Sequence, residues 1–147
     1  MKIELIDYGL KKWPQRAHYN DAGLDCFVCL EKSEIILKAT STLKIPLGFG
    51  IKIPDGYTGF ICPRSGLSSV GITCELSPID SGYTGQIHAI VTNNNNYDYI
   101  IKDGQKIGQL IIIPCVICDL VNTNSMINEK KRENNGFGST DKKEIFK

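Results

Sequence analysis

Short segments with frequent β-branched residues, each ended by turn residues, are the feature of this sequence that most restricts its fold. Hardly any segment repeats its apolar residues with a helical period. This pattern predicts an all-β sandwich, barrel or jelly roll, with one short helix over residues 65–70 that Ser65 caps and Gly66 begins. The predicted strands cover residues 1–9, 22–30, 34–37, 41–49, 50–53, 57–62, 71–76, 86–93, 97–102 and 106–116.

Two stretches between these segments carry clear turn signals, Pro54-Asp55-Gly56 and the four asparagines of residues 93–96. The asparagines predict a hairpin tip, because asparagine tolerates left-handed backbone angles. After residue 120 the sequence becomes polar, and too few apolar residues remain to build a core element. We therefore predict one β domain over residues 1–120 and a mobile C-terminal arm over residues 121–147.

Charge and composition limit the classes of partner. The 147 residues carry a formal net charge of only +1, so neither a nucleic acid nor a membrane surface is an expected partner. A chain of this length buries about 68 to 70 % of its unfolded surface, which suffices for a self-supporting core. Six cysteines without a preceding signal peptide predict a reducing intracellular compartment, cytoplasmic in the simplest case, with a nuclear or viral-host setting left open.

Two cysteine pairs, Cys26/Cys29 and Cys115/Cys118, have the two-residue gap of a zinc site. Both pairs lie in apolar stretches that read as strands, where residues three apart point to opposite faces. We therefore expect buried apolar thiols, with a zinc site as the alternative.

The eight residues 78–85 contain an acidic residue, two glycines and an aromatic residue just before the apolar alternation of Ile87, Ala89 and Val91. A turn needs only one or two such residues, so Asp80 and Tyr83 are candidates for function. A plain hairpin turn is the alternative.

Residues 62–68 place Arg64 and Ser65 at a predicted helix start. Arginine grips a phosphate or carboxylate at two points, and a helix start offers N–H donors to an anion. The alternative is a capped short helix with a surface arginine. Asp25, at the mouth of a strand, and Gln109, within another, are weaker candidates, since each could simply end a loop or face solvent.

Phe137 lies between two glycines in a tail that has too few apolar residues to build a core. Such a ring is either part of a disordered tail or a lid for a flat ligand, with Ser139, Thr140 and Arg132 available to phosphate oxygens.

Taken in order, five stretches resemble the motifs of a known family, the homotrimeric deoxyuridine triphosphate nucleotidohydrolases or dUTPases. They are AGLDC from Ala22, PRSGLS from Pro63, SPIDSGYTG from Ser77, GQKIGQL from Gly104 and RENNGFGST from Arg132. The resemblance covers residues 22–140. It implies the distorted jelly roll (β-clip) of that family, a homotrimer with active sites shared between subunits, and dUTP as substrate.

The resemblance further implies hydrolysis of dUTP to dUMP and pyrophosphate with Mg2+, which keeps uracil out of DNA and supplies dUMP for thymidylate synthesis. Asp80 matches the general base for the water that attacks the α-phosphorus. Tyr83 matches the ring that lies against the deoxyribose and leaves no room for a 2′-hydroxyl. A hairpin that reads the uracil edge is implied for Ser77, Pro78, Ile79 and the strand at His88.

Phosphate and metal roles follow from the same resemblance. Asp25 matches a carboxylate that holds Mg2+ through metal-bound water. Arg64 could also pair with Asp80. The residues implied to hold the phosphates are Arg64, Ser65, Gly66 and Gln109. Those implied to close over the substrate from the tail are Arg132, Phe137, Gly138, Ser139 and Thr140, with the phenyl ring stacked on uracil.

Several positions depart from the family patterns. Ser77-Pro78 replaces Gly-Val in the third motif, and Gln105-Lys106 replaces Asp-Arg in the fourth, which puts an ion pair there in doubt. The other departures are Gly108, Glu133 and Asp141. The related dCTP deaminases need a glutamate on the strand after the third motif, and residues 86–91 contain none. A binding or regulatory protein with the same fold is the remaining alternative.

Overall fold

The computed structural model describes residues 1–122, and in this part of the chain it is almost entirely β structure. Its short apolar segments form eleven strands, and one helix of a single turn, α1, spans Ser65–Ser68. The strands are β1 (Glu4–Asp7), β2 (Leu24–Phe27), β3 (Glu34–Leu37), β4 (Thr42–Pro46), β5 (Phe49–Lys52), β6 (Tyr57–Cys62), β7 (Ile72–Cys74), β8 (Pro78–Ile79), β9 (His88–Asn93), β10 (Tyr99–Lys102) and β11 (Lys106–Pro114).

The described strands pair, all antiparallel, into four small sheets. The largest sheet has the order β2-β11-β6-β8, and a second has the order β4-β9-β7. Two further pairs, β1 with β5 and β10 with β3, complete the set. Every pairing among the described strands joins strands that are not consecutive in the chain. The predicted all-β architecture is confirmed.

Alternation along the strands separates the core from the outer faces. In β9, Ala89 and Val91 are fully buried, whereas the alternating residues His88 and Ile90 are only partly buried. The inward residues of the sheets join one apolar cluster that includes Phe49, which is completely buried. Burying a side chain of this kind stabilises the fold by about 1.5 to 3 kcal/mol. The outward face of β9 is thereby left for polar chemistry.

The asparagine-rich stretch is not a hairpin tip, so this prediction is wrong. β9 pairs with β4 and β7, whereas β10 pairs with β3, so the stretch connects two sheets. Among the described non-glycine residues only Thr40 has a positive φ. Asn93 acts through its side chain, which is completely buried and donates to the carbonyl oxygens of Leu37, Lys38 and Tyr97 at 3.3, 3.3 and 2.7 Å. Its amide holds the connection together.

Helix α1 begins one residue earlier than predicted. Arg64, with extended backbone angles, occupies the N-cap position, and no side chain caps the helix. Ser65 is therefore the first helical residue and not the cap. The Val70 amide donates to the carbonyl oxygen of Leu67, three residues earlier, at 3.1 Å, as in a turn. Only the first part of the predicted helix is therefore regular.

The cysteines follow the expectation only in part. Burial raises the pKa of the Cys26 thiol to about 12 and that of Cys74 to about 11. Cys115 and Cys118, however, are exposed, because the last strand of the described chain ends at Pro114 before either residue. Among residues 1–122 no helix is long and apolar enough to span a membrane. The predicted arm lies outside the described residues from 123 onward.

Candidate active site

The segment from Pro78 to Gly85 crosses between two sheets. β8 pairs with β6, whereas β9 pairs with β4 and β7, so the expected hairpin of β8 with β9 does not form. The Tyr83 amide closes a turn on the Asp80 carbonyl at 3.1 Å, and its hydroxyl donates to the Gln86 carbonyl at 3.0 Å. A Cβ at Gly85 would lie 2.7 Å from that hydroxyl oxygen. Glycine there allows the tyrosine to fold back over its own chain.

This crossing borders a pocket of about 220 Å³, which we call the nucleoside pocket. Six of the residues predicted for base, sugar or catalytic roles line it together: Ser77, Pro78, Ile79, Asp80, Tyr83 and His88. Lys44 and Glu75 also line it and were not found from the sequence. They reach the pocket because β4 and β7 flank the outward residue Ile90 of β9. Only strand pairing, which the sequence does not specify, brings these charges there.

The pocket has an exposed acidic residue and a half-buried imidazole. Asp80 is exposed and belongs to no ion pair within residues 1–122. Burial lowers the pKa of His88 from its usual 6.5, a shift opposed by the contact of Nδ1 with the Gln86 carbonyl and reinforced by the charge of Lys44. The Nδ1 atom lies 3.0 Å from that carbonyl oxygen. At neutral pH the imidazole is therefore neutral.

A second group of predicted residues gathers around Asp25 on β2, and we call it the phosphate half-site. The Asp25 side chain is only 5 % exposed. Lys106 Nζ lies 2.6 Å from its Oδ2, while Arg64 Nε lies 3.3 Å and Gln109 Nε2 3.5 Å from its Oδ1. Burial raises the pKa of the Asp25 carboxyl, but the Lys106 hydrogen bond, the two positive charges and the Gln109 amide outweigh burial and lower it.

Ion pairing in this half-site differs from two expectations. Arg64 pairs with Asp25 within the chain and not with Asp80. The Gln105-Lys106 replacement does not remove an ion pair, because Lys106 forms one with Asp25. Gln105 instead accepts from the Lys102 amide at 3.0 Å.

A β-bulge in β11 directs both Lys106 and Gln109 to Asp25. The register with β2 shifts between Lys106 and Gly108, which leaves Ile107 as an extra residue. On a regular strand, residues three apart point to opposite faces, and a bulge reverses that relation. Gly23 matters in the same contact, since a Cβ there would lie 2.9 Å from Gln109 Cβ.

The structure keeps the two groups apart within one chain. Asp25 lies opposite Gln109 and Gln109 opposite Cys62, while the last residue of β8, just before Asp80, lies opposite Gly59. In the sheet order β2-β11-β6-β8, Asp25 and Asp80 are three strand spacings apart across the sheet and four residues apart along the strands. Together these offsets put the two residues about 20 Å apart.

The phosphate half-site is suited to a hydrated cation. Within residues 1–122 no three histidine, cysteine, aspartate or glutamate side chains are close enough to hold a metal. A single carboxylate with a neighbouring amide fits an ion that takes most ligands from water and from substrate oxygens, as Mg2+ does.

The remaining predicted residues divide between described and undescribed parts of the chain. Ser65 and Gly66 follow Arg64 at the start of α1. The tail residues lie outside the described residues: Arg132, Phe137, Gly138, Ser139 and Thr140.

Comparison with known proteins identifies the family. The dUTPase family model matches residues 11–141. The deoxyuridine 5′-triphosphate nucleotidohydrolase of Clostridium tetani is 37 % identical over 145 residues, covering 97 % of each chain. A dUTPase variant of Staphylococcus bacteriophage 80alpha, solved with dUpNHpp, aligns with a TM-score of 0.85 and 24 % identity over 95 % of this chain and 98 % of that one.

A second solved structure is a dUTPase variant from phage phi11 of S. aureus, described with a structural Mg(II) ion. It is 25 % identical, with a TM-score of 0.77 over 85 % of this chain and 98 % of that one. The jelly-roll fold and the family assignment made from the motifs are thereby confirmed. The chain belongs to the dUTPase family, the deoxyuridine 5′-triphosphate nucleotidohydrolases.

Proposed function

We propose that this protein hydrolyses dUTP to dUMP and pyrophosphate by attack of water at the α-phosphorus. The observation that carries the proposal is the nucleoside pocket, where Asp80 and Tyr83 lie together at one wall. Asp80 is exposed and without an ion pair in the described chain, so its carboxylate is available to orient a water and accept its proton. A positioned base of this kind contributes about 10² to 10⁴ in rate.

The same pocket accounts for selection of a deoxyuridine. Tyr83 is held over its own chain by the hydrogen bond to Gln86, so its ring lies fixed against the sugar and excludes a 2′-hydroxyl. Residues 77–79 and the backbone at His88 read the base edge. A neutral imidazole at His88 avoids placing a charge beside an uncharged base. A buried polar group left unpaired by the wrong base costs about 1 to 3 kcal/mol.

The phosphate half-site binds the triphosphate. Arg64 grips phosphate oxygens with its guanidinium, and Ser65 and Gly66 offer neighbouring donors. Gln109 and Asp25, which lie 3.5 Å apart, would hold the water shell of Mg2+, and Gln109 would also reach the phosphates. When bound, Mg2+ neutralises charge on the triphosphate and so favours departure of pyrophosphate.

We propose that the complete site forms between copies of the chain in a homotrimer. Reacting atoms must approach within about 3 to 3.5 Å, and the separation of about 20 Å between Asp25 and Asp80 on one chain is too large for this. A second copy supplies the phosphate half-site to the nucleoside pocket of the first. The tail of a copy then closes over the substrate with Phe137 on the base and Arg132, Gly138, Ser139 and Thr140 at the phosphates.

In the cell this activity keeps uracil out of DNA and supplies dUMP for thymidylate synthesis. The compartment we propose is a reducing intracellular one, in which the six cysteines stay as free thiols.

A nucleotide panel tests the proposal. The purified protein with Mg2+ should release pyrophosphate from dUTP and far less from dCTP, dTTP or UTP. Asp80→Asn should abolish turnover and retain binding of the analogue dUpNHpp. Ammonia from dCTP would favour a deaminase, and absence of product from every nucleotide would leave only a binding role.

A further inference from the structure

Lys106 has no role in the proposed function, yet it makes the closest contact in the phosphate half-site. We propose that Lys106 is a positioning residue that neutralises Asp25 and so leaves Arg64 available to grip the triphosphate before Mg2+ arrives. This inference rests on the proposed function and adds a residue and an order of events to it.

The Asp25 carboxylate lies closer to Lys106 than to Arg64. Lys106 Nζ lies 2.6 Å from Oδ2, which is a close ion pair. Arg64 Nε lies 3.3 Å from Oδ1, is buried, and makes no hydrogen bond within the described chain. Arginine and carboxylate frequently bind through two parallel hydrogen bonds. Arg64 therefore stays close to Asp25 while its guanidinium donors remain available to a ligand.

The charges of the half-site give the consequence. Arg64 and Lys106 are cations and Asp25 is an anion, so the three side chains have a net charge of +1. This charge attracts the negatively charged triphosphate. Without Lys106 the remaining pair is neutral, and Asp25 would draw the guanidinium into a two-point contact. The triphosphate would then have to break that contact and leave a buried carboxylate without its partner cation, close to its own negative charge.

Exposure places both cations where a ligand can reach them. The side chains of Lys106 and Arg64 are 36 % and 30 % exposed, whereas Asp25 is 5 % exposed. The Lys106 ammonium has three N–H donors that it can offer to a ligand while it stays paired with Asp25. The carboxylate is thus buried beneath two cations that both reach solvent.

The bulge in β11 is the reason that this arrangement exists. Without the extra residue Ile107, either Lys106 or Gln109 would point away from Asp25. The bulge gives one carboxylate a cation on Oδ2 and an amide on Oδ1, which fixes the orientation of its plane.

A double-mutant cycle tests the role of Lys106. Calorimetry measures the affinity of dUpNHpp in EDTA and in Mg2+ for the wild type, Lys106→Met, Asp25→Asn and the double variant. We expect Lys106→Met to weaken binding in EDTA about tenfold, since one charge at short range is lost from a partly exposed site. Adding Asp25→Asn should restore wild-type affinity in EDTA, because the net charge returns to that of Arg64 alone. Lys106→Arg should retain it.

Lys38→Met is the matched control. Lys38 also pairs with an aspartate, Asp98 at 2.8 Å, but it lies on the surface beside β3. Its replacement should leave affinity unchanged. A purely structural role for Lys106 would lower the melting temperature without rescue of metal-free affinity by Asp25→Asn.

Two results separate this inference from the function on which it rests. Wild-type protein that binds dUpNHpp in EDTA as weakly as Lys106→Met, or a double variant that remains weak, would overturn the role of Lys106 alone. Absence of binding by the wild type in both EDTA and Mg2+ would overturn the proposed function and this inference together.

Discussion

Mixing two inactive variants should restore activity if the site forms between chains. Asp80→Asn removes the proposed base of the nucleoside pocket, and Arg64→Ala removes the guanidinium proposed to bind the phosphates. Asp25 stays paired with Lys106 in the second variant, so its fold should survive. The separation of about 20 Å between Asp25 and Asp80 assigns the two changes to different half-sites of one chain.

The expected gain follows from random assembly. In an equal mixture, half of the chains carry an intact Asp80 and the other half an intact Arg64. A site that takes one half-site from each of two chains is intact in about one quarter of cases. Loss of a general base lowers the rate by about 10² or more, so mixing should raise activity from about 1 % or less to about 25 % of wild type.

The assay is pyrophosphate release from dUTP after the two purified variants are unfolded together and refolded. The same variants combined without refolding give the baseline. A mixture of Asp25→Ala with Arg64→Ala is the matched control, because both residues belong to one half-site and no chain would supply an intact copy. Activity of the Asp80 and Arg64 mixture equal to the mean of its parents would refute a shared site.

Three further predictions concern residues that support the site. Asn93→Ala should lower the free energy of unfolding in urea by about 1 to 3 kcal/mol, because removal of the buried amide leaves its carbonyl partners unpaired. Asn94→Ala, at an exposed position, should lower the free energy of unfolding far less. Because the pKa of His88 is lowered in the folded protein, the unfolded chain binds a proton more readily than the folded one. The melting temperature should therefore fall as the pH falls below about 6.5, and His88→Asn should make this fall smaller. Gly108→Ala would bring a Cβ to 2.6 Å from Ile61 Cγ2 and should lower the free energy of unfolding by about 1 to 3 kcal/mol, and Ile61→Leu, which lacks the Cγ2 branch, should restore part of the loss in thermal melts.

Alternation and turn residues were sufficient to predict most of the strands. β9 illustrates why: its inward residues Ala89 and Val91 are buried as their spacing predicts, and the outward His88 faces the pocket. The asparagine stretch was misjudged because a buried side-chain network can hold a crossing connection in the same composition that suits a tight turn. Local composition does not show which strands will pair.

The sequence was sufficient to predict which residues belong to the candidate site, but not how they are arranged in space. Its motifs name Asp80, Asp25 and Arg64, yet only the register of the four-stranded sheet shows that the first lies far from the other two. Lys44 and Glu75 enter the pocket through strand pairing alone. Lys106 attracted attention as a departure from a pattern, and its contact with Asp25 depends on a bulge that periodicity does not reveal.

The bulge at Ile107 also sets the phase of the rest of β11. Leu110 is buried in the core, and the pairing of this strand with β6 continues from Gln109 to Pro114. Deleting one residue here would exchange inward and outward side chains along that stretch, or else break the contact with Asp25. Natural length variation among relatives should therefore concentrate in the loops and spare this position, so an alignment gap at Ile107 would mark a chain that binds phosphate by a different set of contacts.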